Sequence, residues 1–271
     1  MTSIITLTTD WGQQNHYIAA VKGKLLSGLP DARIVDITHE IESFNLKQGS
    51  FILSQAYSNF PKGSIHIIGI NSESTLQSLH AVIFADGHYF IGADNGIFSL
   101  MFDKIDKIIH IDIPQETNYF TFPERDIFCN AAVHLAQEKD IEELGDSADK
   151  VRQMLPFQPI IHDNLIKGKV IFVDGYGNTI VNISEKLFRE KTADKEFLIH
   201  FRRKEYIIDE ISEVYSDVPE GEMLAIFGSS GYLELAMNRG NASRLLGIKV
   251  DSVIDVEITT PPNKHPQNSL F

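Results

Sequence analysis

The sequence predicts two domains of different class: an α/β domain with a mixed central sheet over residues 1–155 and a small antiparallel β-barrel over residues 165–258. Helical and strand patterns alternate in the first part, whereas short strands separated by tight turns fill the second. The segment 156–164 carries two prolines and is the expected linker. Residues 259–271 are expected to form a loose tail.

Composition excludes several classes of function. With 271 residues, 43% hydrophobic and 23% charged, the chain can bury a full core. Its net charge of −13 argues against a nucleic-acid binder, which needs basic patches to meet phosphates. No run of about 18 apolar residues predicts a membrane span. The amino terminus lacks a signal-peptide pattern, so we expect a cytoplasmic protein.

The α/β pattern begins with a strand over residues 3–9, followed by an amphipathic helix over about 14–27. A second strand is predicted over 32–37. Asn45 and Gln48 then have the spacing of a capping box ahead of a helix that continues to about residue 57.

A buried strand over 64–70 comes next along the chain. The strands 80–85 and 88–92 follow it and are joined by Asp86-Gly87, a strong hairpin signal. The predicted strands of the barrel lie in the segments 169–183, 197–208, 223–236 and 253–258.

The single cysteine, Cys129, cannot form an internal disulfide or a cysteine-based zinc cluster. Its neighbours form an apolar helical pattern, which favours a buried, inert thiol over a nucleophile. We expect no metal site.

Asp10 stands where the first strand ends and a helix is about to begin, which is the edge where open α/β sheets bind ligands. A carboxylate there can accept hydrogen bonds from both hydroxyls of a ribose. The structural alternative is a helix cap. No G-x-G-x-x-G follows this strand, so the dinucleotide fingerprint is absent.

Two further polar runs have structural explanations. Asp94-Asn95-Gly96 follows a strand and is explained by a turn that needs positive φ. The run 124–126, Glu-Arg-Asp, starts a predicted helix, where capping and a local ion pair would suffice. It would be functional if that helix end pointed into a cleft.

Two turns of the barrel domain remain ambiguous. The run 174–178, Asp-Gly-Tyr-Gly-Asn, fits a plain hairpin. Alternatively, the Asn178 amide could form hydrogen bonds with the edge of a heterocycle, the Tyr176 ring could pack against it, and Asp174 could pair with an ammonium group. The run 227–234 is also either a turn or a nest of amides and serine hydroxyls that holds a carboxylate.

Together these motifs are far more specific than any one alone. Over roughly residues 4–258 the chain resembles the S-adenosylmethionine hydroxide adenosyltransferase family. The resemblance is carried by five motifs in the correct order: T-T-D-W-G, A-D-N-G, T-F-x-x-R-D-I-F, D-G-Y-G-N-T-I-V-N-I and S-S-G-Y-L-E-L-A-M-N-R-G-N-A. That family is related to a fluorinase and a chlorinase that use the same substrate. The resemblance implies S-adenosylmethionine or adenosine as ligand, no further cofactor, and a homotrimer with sites between neighbouring subunits.

The resemblance also implies roles for individual residues. Asp10 would hold the ribose hydroxyls, and Phe44 would line the pocket. The adenine would contact Asn178, Tyr176 and Met237, and the methionine end would contact Asp174, Ser229, Ser230 and Glu234.

The chain departs from the family at the positions of an Asp, Arg and His triad that prepares water for attack on the ribose C5′. Asn71, Ser78 and Pro123 stand there. Asn71 can orient water but cannot take its proton, so Glu124 and Asn71 are the candidate catalytic residues.

Two classes of function follow from this departure. The first is hydrolysis to adenosine and L-methionine, and the alternative is an adenosyl-binding protein with very slow turnover or none. Halogenation is disfavoured because Glu124 stands where the fluorinase has a small hydroxyl residue near its halide, and a carboxylate repels an anion.

Overall fold

A computed structural model describes residues 3–76, 78–193, 195–201 and 203–259. The chain divides into two compact units, the first ending at Pro156 and the second beginning at Phe157. Among the described residues, none of the helices combines the length and apolar character needed to cross a membrane.

The first unit is built from seven strands and four α-helices. The strands are β1 Ile4–Thr9, β2 Arg33–Thr38, β3 Ile65–Gly69, β4 His80–Ala85, β5 His88–Ala93, β6 Lys107–Ile111 and β7 Gly145–Ser147. The α-helices are α1 Tyr17–Gly28, α2 Leu46–Ala56, α3 Ile97–Met101 and α4 Cys129–Ala136, and a π-helical turn, Glu124–Phe128, leads into α4. Short 3-10 turns cover Tyr57–Asn59 and Ile141–Leu144.

These strands form one mixed sheet, as the sequence predicts. Its order is β2-β1-β3-β5-β4-β6-β7, with β1 parallel to β2 and β3, β3 parallel to β5, and antiparallel pairs from there to β7. Separate apolar clusters pack around Leu7 and Phe128 and around Ile68 and Phe98. Because β1 and β3 are parallel, the chain leaves both at the same edge of the sheet.

The structure agrees with the local sequence signals for turns and helix starts in this unit, with two differences. Asp86 and Gly87 both have positive φ in the β4–β5 hairpin, and the Asn45 side chain accepts a hydrogen bond from Gln48 N. The Gln48 amide oxygen, however, accepts from Glu42 N, so half of the predicted capping box is absent. Helix α1 begins at Tyr17 rather than residue 14, because Asn15 donates to Trp11 O and accepts from Tyr17 N.

The second unit is the predicted small antiparallel barrel. Its strands are β8 Ile160–His162, β9 Leu165–Val173, β10 Thr179–Ser184, β11 Glu196–Phe201, β12 Arg203–Ile208, β13 Met223–Phe227, β14 Tyr232–Met237 and β15 Val253–Thr259. Helices α5 Glu185–Thr192 and α6 Ala242–Leu246 and a 3-10 turn, Tyr215–Asp217, complete it.

The strands of this unit run in the order β12-β11-β15-β9-β10-β14-β13 and enclose one apolar core in a nearly closed sheet. Strand β8 pairs with β9, although the sequence assigns its residues to the linker. Strand β15 continues to Thr259, and the rest of the predicted tail lies outside the described residues.

Candidate functional site

Asp10 and Phe44 meet at the edge where β1 ends. Asp10 N donates to Gly69 O over 3.3 Å, which ties it to the end of β3. Asp10 Oδ2 accepts a 2.8 Å hydrogen bond from Phe44 N. Since a carboxylate has about four acceptor positions, Asp10 can still accept hydrogen bonds from a ligand.

Phe44 adopts a left-handed backbone conformation, with φ of +65°, and its ring is 70% exposed. This conformation costs an L residue roughly 1–2 kcal/mol, and such strain is concentrated at functional sites. The Asp10 carboxylate helps to hold it by accepting from the Phe44 N–H. The ring is therefore free to contact a ligand.

Asn71 follows β3 in a left-handed conformation, with φ of +48°, and is exposed. The buried Asn95 amide donates to both Ile70 O and Asn71 O, at 3.0 Å each. The Asp94 carboxylate accepts from Arg152 N, and Gly96 has a φ of +108°. The A-D-N-G motif therefore has the structural role that the turn pattern indicates.

The loop after Asn71 places two serines in buried positions. Ser72 is 7% and Ser78 6% exposed, and within the described residues the Ser78 hydroxyl has no hydrogen-bond partner. The loop closes through paired backbone bonds between Thr75 and Ser78. His80 then donates from Nε2 to Ser72 O over 2.9 Å.

Glu124 opens the π-helical turn directly after Pro123 and is only 4% exposed. Burial raises the pKa of Glu124 to about 7, and the negative charge of Asp10 adds to the rise. The Ser72 hydroxyl opposes this rise in pKa, although it forms no hydrogen bond of regular geometry in the described part of the chain. A carboxyl with this pKa can exchange a proton near neutral pH.

The run 124–126 thus differs from a simple exposed helix start. Arg125 does pair with Asp126, but Asp126 is 1% exposed and also accepts from Thr117. A π-helical turn is rare and is frequently found at functional sites. Its burial and its raised pKa make Glu124 the main candidate for proton exchange in the first unit.

In the second unit, Asp174 and Asn178 organise the hairpin between β9 and β10. Asp174 Oδ1 accepts from the N–H groups of Tyr176 and Asn178, and Oδ2 accepts from the Asn178 amide over 3.0 Å. Asn178 is buried, whereas the Tyr176 ring is 80% exposed. Asp174 therefore has the hydrogen bonds expected of a hairpin residue, while the Tyr176 ring remains available to a flat ligand.

Glu234 lies on β14 and is 7% exposed. Its Oε1 accepts a 2.7 Å hydrogen bond from the Tyr215 hydroxyl. Burial raises the pKa of Glu234, the Tyr215 bond opposes this, and the charge of Asp174 adds to it. Two carboxylates that repel each other in this way favour a cation as their ligand.

The other three predicted site residues of the second unit are Ser229, Ser230 and Met237. Ser229 is exposed, and the Ser230 hydroxyl accepts from Tyr232 N over 3.3 Å. Met237 is 9% exposed and packs against Gly240. The Ser230 contact is the local turn bond expected of a serine.

Tyr215 is absent from the residues that the sequence identifies. It lies 19 positions before Glu234 in a 3-10 turn, and no local pattern links the two. Cys129 is buried as predicted, and burial raises the pKa of its thiol to about 12. The described residues contain no cluster of three or more side chains suited to a metal.

The chain combines a mixed α/β unit with a small antiparallel barrel, and each unit holds a buried glutamate, Glu124 in the first and Glu234 in the second. Comparison with family models identifies the class of protein. The model of the "SAM hydroxide adenosyltransferase N-terminal domain" matches residues 5–145, and that of the C-terminal domain matches residues 168–255. The chain belongs to the S-adenosylmethionine hydroxide adenosyltransferase family.

Individual relatives cover nearly the whole chain. A "(R)-S-adenosyl-L-methionine hydrolase" of Methanocaldococcus jannaschii is 34% identical over 94% of this chain and 95% of its own. A "Fluorinase" of Nocardia brasiliensis is 22% identical over 94% and 97%. The crystal structure of an "uncharacterized conserved protein from Thermotoga maritima" superposes with a TM-score of 0.85, at 30% identity, over 93% of this chain and 99% of that one.

Proposed function

We propose that the chain binds S-adenosylmethionine and hydrolyses it at the ribose C5′, giving adenosine and L-methionine. The relatives named as hydrolases support the substrate. The observation that carries the chemistry is Glu124, a buried carboxyl whose pKa is raised to about 7 beside Asp10.

The ligand is divided between the two sets of residues by their chemistry. In the first unit, Asp10 accepts from the ribose hydroxyls and Phe44 covers an apolar face. In the second unit, the adenine contacts Tyr176, Asn178 and Met237, and the methionine end contacts Asp174, Ser229, Ser230 and Glu234. The acidic pair Asp174 and Glu234 suits an ammonium group.

The proposed reaction is a displacement by water. The water oxygen bonds to C5′ while the bond from C5′ to sulfur breaks, and the electron pair of that bond returns to the sulfonium, which leaves as the neutral thioether of methionine. The ionised Glu124 takes the proton from water, and Asn71 orients the nucleophile. Sulfonium is a good leaving group, so no acid is needed on that side.

The residues at the three triad positions should make the hydrolysis of S-adenosylmethionine slow. Asn71, Ser78 and Pro123 supply neither charge nor base, and a positioned base contributes about 10²–10⁴ in rate. We therefore expect hydrolysis at least about 10²-fold slower than in relatives that have the triad. The second candidate function, binding without turnover, is favoured by the same three residues.

We propose that the chain does not halogenate S-adenosylmethionine. Glu124 and Asp10 place negative charge in the region where the nucleophile would approach, and a halide would be repelled. Chloride should therefore leave the products unchanged and yield no 5′-halo nucleoside.

We propose that the chain forms a homotrimer, as the resemblance to the family implies. Light scattering at micromolar concentration measures the mass of the assembly directly. A monomer in that experiment would contradict the shared site and weaken the assignment of ligand residues.

Titration calorimetry tests the ligand assignment with S-adenosylmethionine, adenosine and ATP. We expect both adenosyl ligands to bind and ATP to bind more weakly, because its phosphates meet the acidic pair. Asp10→Asn should weaken both adenosyl ligands, whereas Glu234→Gln should weaken S-adenosylmethionine alone. Absence of binding by either adenosyl ligand at millimolar concentration would overturn the proposal.

A further inference from the structure

His39 lies in the loop after β2 and contacts three residues that flank Asp10. Its ring Nδ1 lies 2.7 Å from Thr9 Oγ1, and its backbone oxygen accepts a 2.7 Å hydrogen bond from Gly12 N. Its ring is nearly parallel to that of Trp11, with 10° between the planes and 6.3 Å between the centroids. These contacts hold the chain on both sides of Asp10, and none of them uses the Asp10 carboxylate.

The contacts of His39 with β1 are shielded from water, because His39 and Thr9 are both buried. A hydroxyl can donate or accept, so the hydrogen bond between Thr9 Oγ1 and His39 Nδ1 forms with either tautomer of the ring. The Trp11 ring also lies over Gly69 at the end of β3, where an added Cβ would come within 2.8 Å of it. The end of β1 is therefore fixed by buried packing as well as by its place in the sheet.

The residues that follow His39 continue the same attachment. Ile41 N donates to Thr9 O over 3.4 Å, and Phe44 N donates to Asp10 Oδ2 over 2.8 Å. The segment 39–44 thus holds both the backbone around Asp10 and one oxygen of its carboxylate. The second oxygen stays available to a ligand.

The other ring nitrogen of His39 faces a carboxylate. Nε2 lies 3.2 Å from Asp36 Oδ1, outside regular hydrogen-bond geometry within the described part of the chain. Lys22 forms an ion pair with the same carboxylate. Because Asp36 keeps Lys22 as its partner, replacing His39 leaves no isolated charge behind.

We propose that His39 is a positioning residue: it fixes the end of β1 so that the Asp10 carboxylate faces the two hydroxyls of a ribose. The inference rests on the proposed function, in which Asp10 accepts hydrogen bonds from those hydroxyls. His39 touches no atom of the ligand in this scheme and acts through Thr9, Trp11 and Gly12. Its replacement should therefore affect only ligands that carry the ribose hydroxyls.

Titration calorimetry with adenosine and with 2′,3′-dideoxyadenosine, which lacks both hydroxyls, tests this selectivity. His39→Phe keeps a ring beside Trp11 but removes Nδ1, and Thr9→Val removes the hydroxyl with little change of shape. We expect each variant to bind adenosine roughly tenfold more weakly, the equivalent of one hydrogen bond, and to bind dideoxyadenosine as the wild type does. His39→Asn, whose amide can take the place of Nδ1, should restore most of the affinity for adenosine.

Thr8→Val is the matched control. Thr8 is the preceding threonine of β1 and is also buried, but among the described residues its hydroxyl has no hydrogen-bond partner. Its replacement should leave both affinities unchanged. The double variant Thr9→Val with His39→Phe should lose no more affinity than either single variant, because both changes remove the same hydrogen bond.

Amide hydrogen exchange reports the position of Asp10 without any ligand. The Phe44 N–H donates to Asp10 Oδ2, so its exchange should become roughly tenfold faster in His39→Phe and in Thr9→Val if the carboxylate is displaced. The backbone N–H of residue 63, which donates to the carbonyl of residue 87, should keep its rate and shows that the unit as a whole is unchanged.

Unchanged exchange at Phe44 in both folded variants would overturn the inference, and so would an equal loss of affinity for the two nucleosides. If the wild type bound neither nucleoside, the proposed ligand would be wrong. The exchange rate at Phe44 would still decide whether His39 positions Asp10.

Discussion

The Tyr215 hydroxyl donates a 2.7 Å hydrogen bond to the buried carboxylate of Glu234, which would otherwise carry an uncompensated charge. The other oxygen of Glu234 lies over Gly228, where an added Cβ would come within 2.7 Å of it. Gly228 thus leaves room for this second oxygen. In the proposed site for the ammonium group, the Tyr215 bond orients Glu234 before any ligand arrives, which reduces the entropy lost on binding.

Replacing Tyr215 by Phe should therefore weaken the binding of a cationic ligand. The pKa of Glu234, already raised by burial, should rise further because the hydrogen bond that opposes the rise is lost. We expect Tyr215→Phe to lower the affinity for S-adenosylmethionine roughly tenfold, the equivalent of one hydrogen bond to a charged group. Calorimetry measures the affinity for S-adenosylmethionine and for adenosine. Adenosine serves as the control because it lacks the methionine end. An equal loss for adenosine would contradict this assignment.

Glu124 should make the protein less stable as the pH rises. Its pKa in the folded protein, about 7, lies above the ordinary 4.5, so the unfolded state releases the proton first. The protonated Glu124 contributes its full share to the free energy of unfolding below about pH 4.5. This contribution is lost as the pH rises from about 4.5 to about 7, and the total change is about 3 kcal/mol at most. Urea unfolding of wild type and Glu124→Gln across this range measures it. The difference between the two proteins should follow this trend, and a constant difference would contradict it.

A buried histidine pair should have the opposite effect. His66 contacts Thr6 Oγ1 at 2.7 Å and His88 Nδ1 at 3.2 Å, and burial, followed by repulsion from His88, lowers the pKa of His66 to about 3. The unfolded chain binds the proton from about pH 6.5 downward, so stability is complete above that pH and falls toward pH 3.

Between about pH 7 and pH 5 the loss should be about 2 kcal/mol for one such histidine. His66→Phe should flatten this dependence, whereas the exposed His16, replaced by Gln, should leave it unchanged. Urea midpoints at several pH values measure the slope. An unchanged slope in His66→Phe would show that another group controls acid unfolding.

Phe44 offers a test of strain at the site. Glycine accepts a φ of +65° without cost, so Phe44→Gly should be more stable than Phe44→Ala by about 1 kcal/mol. Both variants lack the ring, so the difference isolates the backbone. Both should also bind adenosine more weakly if the exposed ring covers the ligand. Equal stability of the two variants would show that Phe44 is not strained.

Local patterns in the sequence predict much of the fold. The β4–β5 hairpin follows from Asp86-Gly87 and the start of α2 from Asn45, because each depends on residues a few positions apart. The placement of Asp10 at the end of β1 follows from the strand pattern in the same way. The motif order predicts the family, which the domain models confirm.

The chemical state of the site could not be predicted in this way. Whether Glu124 is exposed or buried depends on how the π-helical turn packs, and the sequence pattern gives only a helix start. The Tyr215–Glu234 and His80–Ser72 bonds join residues whose spacing has no meaning within one helix or strand. The assignment of each site residue to a part of the ligand remains a prediction.

The central claim is that water, activated at Glu124, attacks C5′. The most direct measurement is mass spectrometry of adenosine formed from S-adenosylmethionine in water enriched in the heavy oxygen isotope. We predict one heavy oxygen in the 5′-hydroxyl of adenosine in wild type, and release at least about 10²-fold slower in Glu124→Gln. Adenosine without the label, or labelled adenosine released at the wild-type rate by Glu124→Gln, would contradict the account.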